Sequence, residues 1–158
     1  MSSLEHAIAI AAIAHGGDED KLGNPFILHP LRVMLSVDDP DARIVAVLHD
    51  VLEKTGWSAE RLVREGFAPR IVRAVRALTR EGYEDYEGFV ERAAADQLAR
   101  IVKIADLRDN IAQVEAGGGK ADTRERKLAR WRKALERLGA DPEPAWSPAP
   151  RRELRLSS

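Results

Sequence analysis

His29, the adjacent pair His49 and Asp50, and Asp106 are the residues of this chain best suited to chemistry. Two imidazoles and two carboxylates in that order can close around one divalent ion. Mixed nitrogen and oxygen ligation suits Mn²⁺, Fe²⁺ or Zn²⁺ better than an all-oxygen cage does, and a six-coordinate ion keeps positions open for water. A metal with bound water points to hydrolysis.

Those four residues come from three separated stretches, so the intervening elements must bring them together. Apolar residues recur at helical spacing, and no run of Val, Ile or aromatic residues alternates with period two. The pattern predicts an all-α bundle of about eight helices. Their expected spans are Leu4 to His15, His29 to Ser36, Asp41 to Lys54, Ser58 to Glu65, Pro69 to Thr79, Tyr83 to Ala95, Leu98 to Val114 and Asp122 to Leu138. In the third of these, His49 and Glu53 are four apart and share a helix face, with Asp50 beside them, so one helix would supply two ligands and a base. The plainer alternative makes His49 a core histidine, with Asp50, Glu53 and Lys54 a solvated stripe carrying an Asp50–Lys54 ion pair. That alternative loses weight because His29-Pro30 precedes the segment and Lys103-Ile104-Ala105-Asp106 follows it. Asp106 would otherwise be an isolated acid just after an apolar turn.

The chain has 158 residues and 44% hydrophobic content, enough to bury a single core, and the reading assigns residues 1–138 to one domain. With 25 basic against 26 acidic residues the formal net charge is -1, which favours neither nucleic acid nor a membrane surface as partner. Phosphate recognition must therefore be local. The absence of cysteine excludes disulfides and thiolate metal sites. Ala7 to Ala14 is apolar but far shorter than the about 20 residues of a membrane span, and it lacks the flanks of a leader peptide. The expected setting is soluble and cytoplasmic. Polar connectors are expected at Gly16 to Pro25 and Gly117 to Gly119, and a Pro-rich, flexible tail at 139–158, where Trp146 is a candidate docking residue.

These residues carry a family resemblance. His49-Asp50, with His29 before it and Asp106 after it, resembles the HD-domain metal-dependent phosphohydrolases. The stretch from His15 to Pro30 (HGGDEDKLGNPFILHP), followed by HDVLEKT and KIADLRDN, is similar to the hydrolase domain of RelA/SpoT-type enzymes and their small stand-alone relatives. The resemblance covers roughly Leu4 to Leu138, with motif order and intervening lengths kept. It implies a helical bundle, Mn²⁺ held by His29, His49, Asp50 and Asp106, and removal of the 3′-diphosphate from guanosine tetra- or pentaphosphate. Glu53 would orient or deprotonate the attacking water, and Asn110 would contact the substrate's sugar or phosphate region. Lys21 matches the second half of an Arg-Lys pair that meets phosphate. His15 belongs to the resemblance as a brace for its loop, whereas His6 has no matching role.

Two positions depart from the family pattern. Asp20 stands where many members have the arginine of that pair, and Lys54 replaces the second of two paired acids. Lys54 either slows hydrolysis or attracts a substrate phosphate in place of the cation missing at Asp20. The last helix carries Leu128, Trp131, Leu135 and Leu138 on one side and seven basic residues around the rest. A solvated face is its plain reading, yet Lys127 and Trp131 fall near family positions where a cation and an aromatic line the nucleotide pocket. Tyr86 is a similar candidate for substrate contact. Three classes follow: a guanosine tetraphosphate hydrolase, a metal-dependent hydrolase of another small phosphorylated substrate, and a metal-bearing nucleotide sensor with weakened catalysis.

Overall fold

The computed structural model describes residues 2–117 and 120–142, and within them the chain forms nine α-helices and no strand. They are α1 (Leu4–Ala14), α2 (Leu28–Leu35), α3 (Pro40–Leu48), α4 (Val51–Lys54), α5 (Ala59–Arg64), α6 (Pro69–Ala77), α7 (Tyr86–Ala94), α8 (Gln97–Ala116) and α9 (Ala121–Arg137). Five starts are set by short polar side chains that accept from otherwise unpaired backbone N–H groups. Ser3 caps α1, Asp39 caps α3 ahead of Pro40, Ser58 caps α5, and Asp96 caps α8 through the Ala99 N–H. Asp85 caps α7 through the Gly88 N–H, so that helix begins at Tyr86 and not at Tyr83. Gly17 (φ 85°) turns the chain out of α1 in a left-handed conformation that favours glycine.

The largest departure from the expected elements is at the HD dipeptide. The single helix expected from Asp41 to Lys54 is two: α3 ends at Leu48, and α4 starts at Val51. The His49 N–H reaches back only three residues, to the Ala46 carbonyl, at a long 3.4 Å, while the ring Nδ1 donates to that same carbonyl at 2.6 Å. A side chain that competes for the backbone acceptor ends the helix at this point. His49 and Glu53 therefore do not lie along one continuous helix face, and the turn re-aims Asp50 toward His49. The Asp50–Lys54 ion pair of the plainer alternative does not form; the Lys54 ammonium sits 5.2 Å from the centre of the Phe26 ring.

Helix α3 is the buried axis of the fold: Ala42 and every residue from Ile44 to Leu48 are buried. It packs between α1, α2, α6 and α8. Helix α8, about 30 Å long at 1.5 Å per residue, spans both apolar clusters. Its Ala99, Val102 and Ala105 join the α1–α3–α6 cluster, and its Leu107 and Ile111 meet Val90 of α7, Leu128, Ala134 and Leu135 of α9, and Leu138, which caps α9. Asp106 lies on α8 where the two clusters meet. No described helix is long and apolar enough to cross a membrane. Gly118, Gly119 and the tail from residue 143, with Trp146, fall outside the described residues.

Candidate active site

Three parts of the bundle converge on one buried point: the start of α2 with His29, the α3–α4 turn with His49 and Asp50, and the middle of α8 with Asp106. His29 Nε2 lies 3.0 Å from Asp106 Oδ1 and 3.6 Å from Asp50 Oδ2. His49 Nε2 lies 3.3 Å from Asp106 Oδ1 and 3.2 Å from Asp50 Oδ2. His29, His49 and Asp50 have ligand atoms mutually close enough to share one ion, and Asp106 contacts both imidazoles. His49 is 2% exposed, and its Nε2 is buried without a hydrogen-bond partner. An orphaned buried nitrogen beside two carboxylates is what a cation-binding donor set presents. The nitrogen and oxygen donors therefore fit a divalent metal.

The electrostatics agree with that fit. Burial presses the His49 imidazole toward neutrality, but Asp50 and Asp106 outweigh it and hold its pKa well above the usual value. Burial likewise opposes charge on Asp106, yet Lys103, His29 and His49 hold its pKa well below the carboxylate range. Asp50 is lowered in the same way, against burial, chiefly by His49. The anionic cluster already attracts positive charge: the buried Lys103 ammonium donates to Asp106 Oδ2 at 3.0 Å.

Residues expected around this point fall into distinct groups. Asn110 donates through Nδ2 to Asp106 Oδ1 at 3.1 Å, so its amide braces a cluster carboxylate. Glu53 and Lys54 are exposed on α4, one turn beyond Asp50. Lys21, in the loop after α1, meets Lys127 of α9: Lys21 beside it pushes the Lys127 pKa down, with Arg130 adding to the effect. Trp131 packs against the second apolar cluster, as does Tyr86. The Tyr86 hydroxyl is buried without a partner, and the Arg130 guanidinium covers its ring at 4.3 Å. His15 is buried against the loop residue Phe26, ring centres 4.8 Å apart, and burial lowers its pKa. His6 is engaged elsewhere, with Ser2 and Glu65.

Asp20 does not stand as a bare repulsive charge. Its Oδ1 accepts from the Leu22 and Asn24 N–H groups, both at 2.9 Å, so it shapes the loop that carries Lys21. Four residues with roles here escaped the sequence reading: Lys103, Arg130, Arg32 and Asp109. Asp109 accepts from His29 Nδ1 at 2.7 Å and from Arg32 Nε at 2.8 Å. The available signal was spacing, since Asp109 is three residues after Asp106 and Arg32 three after His29.

Fold and site together define an all-α domain with an HD dipeptide at a helix break and a His/Asp cluster able to hold a divalent metal. No family model matches the chain. It is 31% identical over 120 residues to a guanosine-3′,5′-bis(diphosphate) 3′-pyrophosphohydrolase of Aquifex aeolicus, covering 68% of this chain and 17% of that protein. It is 35% identical over 82 residues to the protein of the same name from Borreliella burgdorferi, covering 49% and 12%. The chain thus spans less than a fifth of the length of these curated relatives. A solved structure of a metazoan ortholog of SpoT that hydrolyzes ppGpp superposes with a TM-score of 0.74 at 23% identity, covering 87% of this chain and 86% of that one. In sequence and in fold the chain is similar to the hydrolase domains of RelA/SpoT-type enzymes.

Proposed function

We propose that this chain is a metal-dependent pyrophosphohydrolase that removes the 3′-diphosphate of guanosine tetra- or pentaphosphate, giving GDP or GTP and pyrophosphate. The observation that carries the reading is the convergence of His29, His49, Asp50 and Asp106 in a chain two of whose sequence relatives bear that activity in their names. Those four residues would hold the ion, most suitably Mn²⁺. When bound, a divalent ion at such a site supplies Lewis-acid chemistry, polarising a phosphoryl oxygen and lowering the pKa of water.

The chain's own groups divide the remaining work. Glu53 forms no ion pair or hydrogen bond among the described residues, so its carboxylate is available to orient water and take a proton during attack on phosphorus. Asn110 and Lys103 hold the two oxygens of Asp106, which fixes that carboxylate toward His29 and His49. Lys21 and Lys127 oppose each other until an anion sits between them, so a substrate phosphate is the natural relief of their repulsion. Arg130 over Tyr86 adds a third cation on the same helix as Lys127. Trp131 would offer a partly buried aromatic wall beside the base.

Lys54 favours a second reading, in which the pocket is tuned to another small phosphorylated compound or retained for sensing. Its ammonium lies over Phe26, whose ring faces His29 at 5.9 Å, so a cation occupies the approach to the cluster where the family has an acid. A turnover assay with Mn²⁺ and a panel of nucleotides tests both readings. Release of pyrophosphate from guanosine tetraphosphate supports the first. Turnover confined to another phosphorylated compound, or binding without turnover, supports the second.

A further inference from the structure

We infer that Asp109 is a positioning residue for the candidate metal centre: it fixes the ring of His29 through Nδ1, and Arg32 holds Asp109 in place. The inference rests on reading the His/Asp cluster as a metal site, and it gives a role to Arg32 and Asp109, two residues to which that reading assigns none.

The geometry is a two-rung ladder between α2 and α8. His29 and Arg32 are three apart on α2, and Asp106 and Asp109 are three apart on α8, so both pairs share a face of their helix. One rung joins His29 Nε2 to Asp106 Oδ1 at 3.0 Å; the other joins Arg32 to Asp109, with Nε at 2.8 Å from Oδ1 and Nη2 at 3.1 Å from Oδ2. A diagonal links them, as His29 Nδ1 donates to Asp109 Oδ2 at 2.7 Å. With Nδ1 committed as a donor, Nε2 is the nitrogen left to face Asp50, Asp106 and any ion they hold. A carboxylate on the far nitrogen of a ligating histidine also raises the basicity of the near one.

Arg32 matters because a free carboxylate so close to the cluster could swing in as a further ligand. Both Asp109 oxygens are instead engaged, Oδ1 by Arg32 and Oδ2 by Arg32 and His29 together. A two-point guanidinium–carboxylate pair has a planar fork geometry that a lysine would not reproduce. The Asp109 side chain is 12% exposed and that of Arg32 is 36% exposed, so the carboxylate is shielded while the guanidinium reaches it from the partly wetted side.

The test uses the full chain, Mn²⁺ as the probe and two readouts. Competition with a fluorescent chelator gives the Mn²⁺ Kd, and proton NMR of the metal-free protein gives the His29 Nδ1–H resonance, shifted downfield and slow to exchange while it is bonded to a carboxylate. Asp109→Asn, whose amide oxygen still accepts but carries no charge, should weaken Mn²⁺ binding by roughly 10- to 100-fold and move that resonance upfield. Asp109→Leu, which keeps the volume and removes the acceptor, should be at least as severe, and Arg32→Ala should shift both readouts in the same direction by less. Circular dichroism confirms that each variant is folded. An unchanged resonance in folded Asp109→Leu overturns the inference, as does a lost resonance with wild-type Mn²⁺ affinity. If the wild type takes up no Mn²⁺ yet the resonance still depends on Asp109, the metal reading fails while the hold of Asp109 on His29 stands.

Discussion

At the scale of single residues, the cluster separates groups that would hold an ion from groups that would act on substrate. His49→Ala and Asp106→Ala each remove a donor from a buried site and should lose bound metal and all turnover, whereas His6→Ala, remote and paired with Glu65, should lose neither; elemental analysis of the purified variants checks this. Glu53→Gln should keep its metal, because Glu53 lies outside the cluster. Its turnover should fall by on the order of 10²- to 10⁴-fold, as expected when a positioned base is removed, while nucleotide binding persists. Lys54→Asp separates the two meanings of that substitution. Restoring an acid should raise the rate on guanosine tetraphosphate at least about tenfold, roughly 1.4 kcal/mol of barrier, if Lys54 only weakens catalysis. A rise in KM with a fall in kcat/KM marks Lys54 as a phosphate contact instead.

At the scale of elements, the break between α3 and α4 is what turns a helical periodicity into a site. The sequence pattern runs through Val47-Leu48-His49-Asp50-Val51-Leu52 without a glycine or proline, so nothing local announces that His49 will spend its Nδ1–H on the Ala46 carbonyl. The two helices that flank the break were legible as one for that reason. Caps were easier to read: Ser and Asp ahead of an apolar run signal a start, although the competition between Asp85 and the more N-terminal Tyr83 was settled by the N–H of Gly88. The connection from α6 to α7 is held by Arg92, which donates to Glu84, to the Thr79 carbonyl and to the Arg76 carbonyl. Arg92 beside it pulls the Glu84 pKa down from the usual value near 4.5 to about 2. The folded pKa lies below the unfolded one, so this pair stabilises the fold above about pH 4.5 and its contribution disappears as pH falls toward 2. Hydrogen exchange should show residues 79–85 opening early over that interval, and Glu84→Gln should open them at neutral pH and flatten the dependence.

At the scale of the whole molecule, α8 ties the two apolar clusters together with Asp106 between them. Leu135 is fully buried in the cluster that seats α9 against α7 and α8. Leu135→Ala should destabilise the protein by about 2–5 kcal/mol in chemical denaturation. Because α9 also carries Lys127 and Arg130, it should raise KM more than it lowers metal content. The all-helical class and the four-residue cluster were legible because the HD pair and its two outlying partners are unusual residues in apolar surroundings. Arg32, Asp109 and Arg130 were not, because a charged residue at helical spacing looks the same whether it faces water or a neighbouring helix. Trp131 could be read both as part of an apolar stripe and as an aromatic wall of a nucleotide pocket, and it packs against the second apolar cluster.

If the His/Asp cluster holds a metal that serves hydrolysis of a nucleotide 3′-diphosphate, metal content and turnover rise and fall together. The most direct measurement is pyrophosphate released from guanosine tetraphosphate by protein whose metal content has been determined, with and without a chelator. The expected result is about one divalent metal per chain, pyrophosphate and GDP in equal amounts, and loss of both metal and turnover on chelation. A protein that carries its metal and binds the nucleotide yet releases no pyrophosphate, or that releases it equally well after its metal is stripped, would contradict the account.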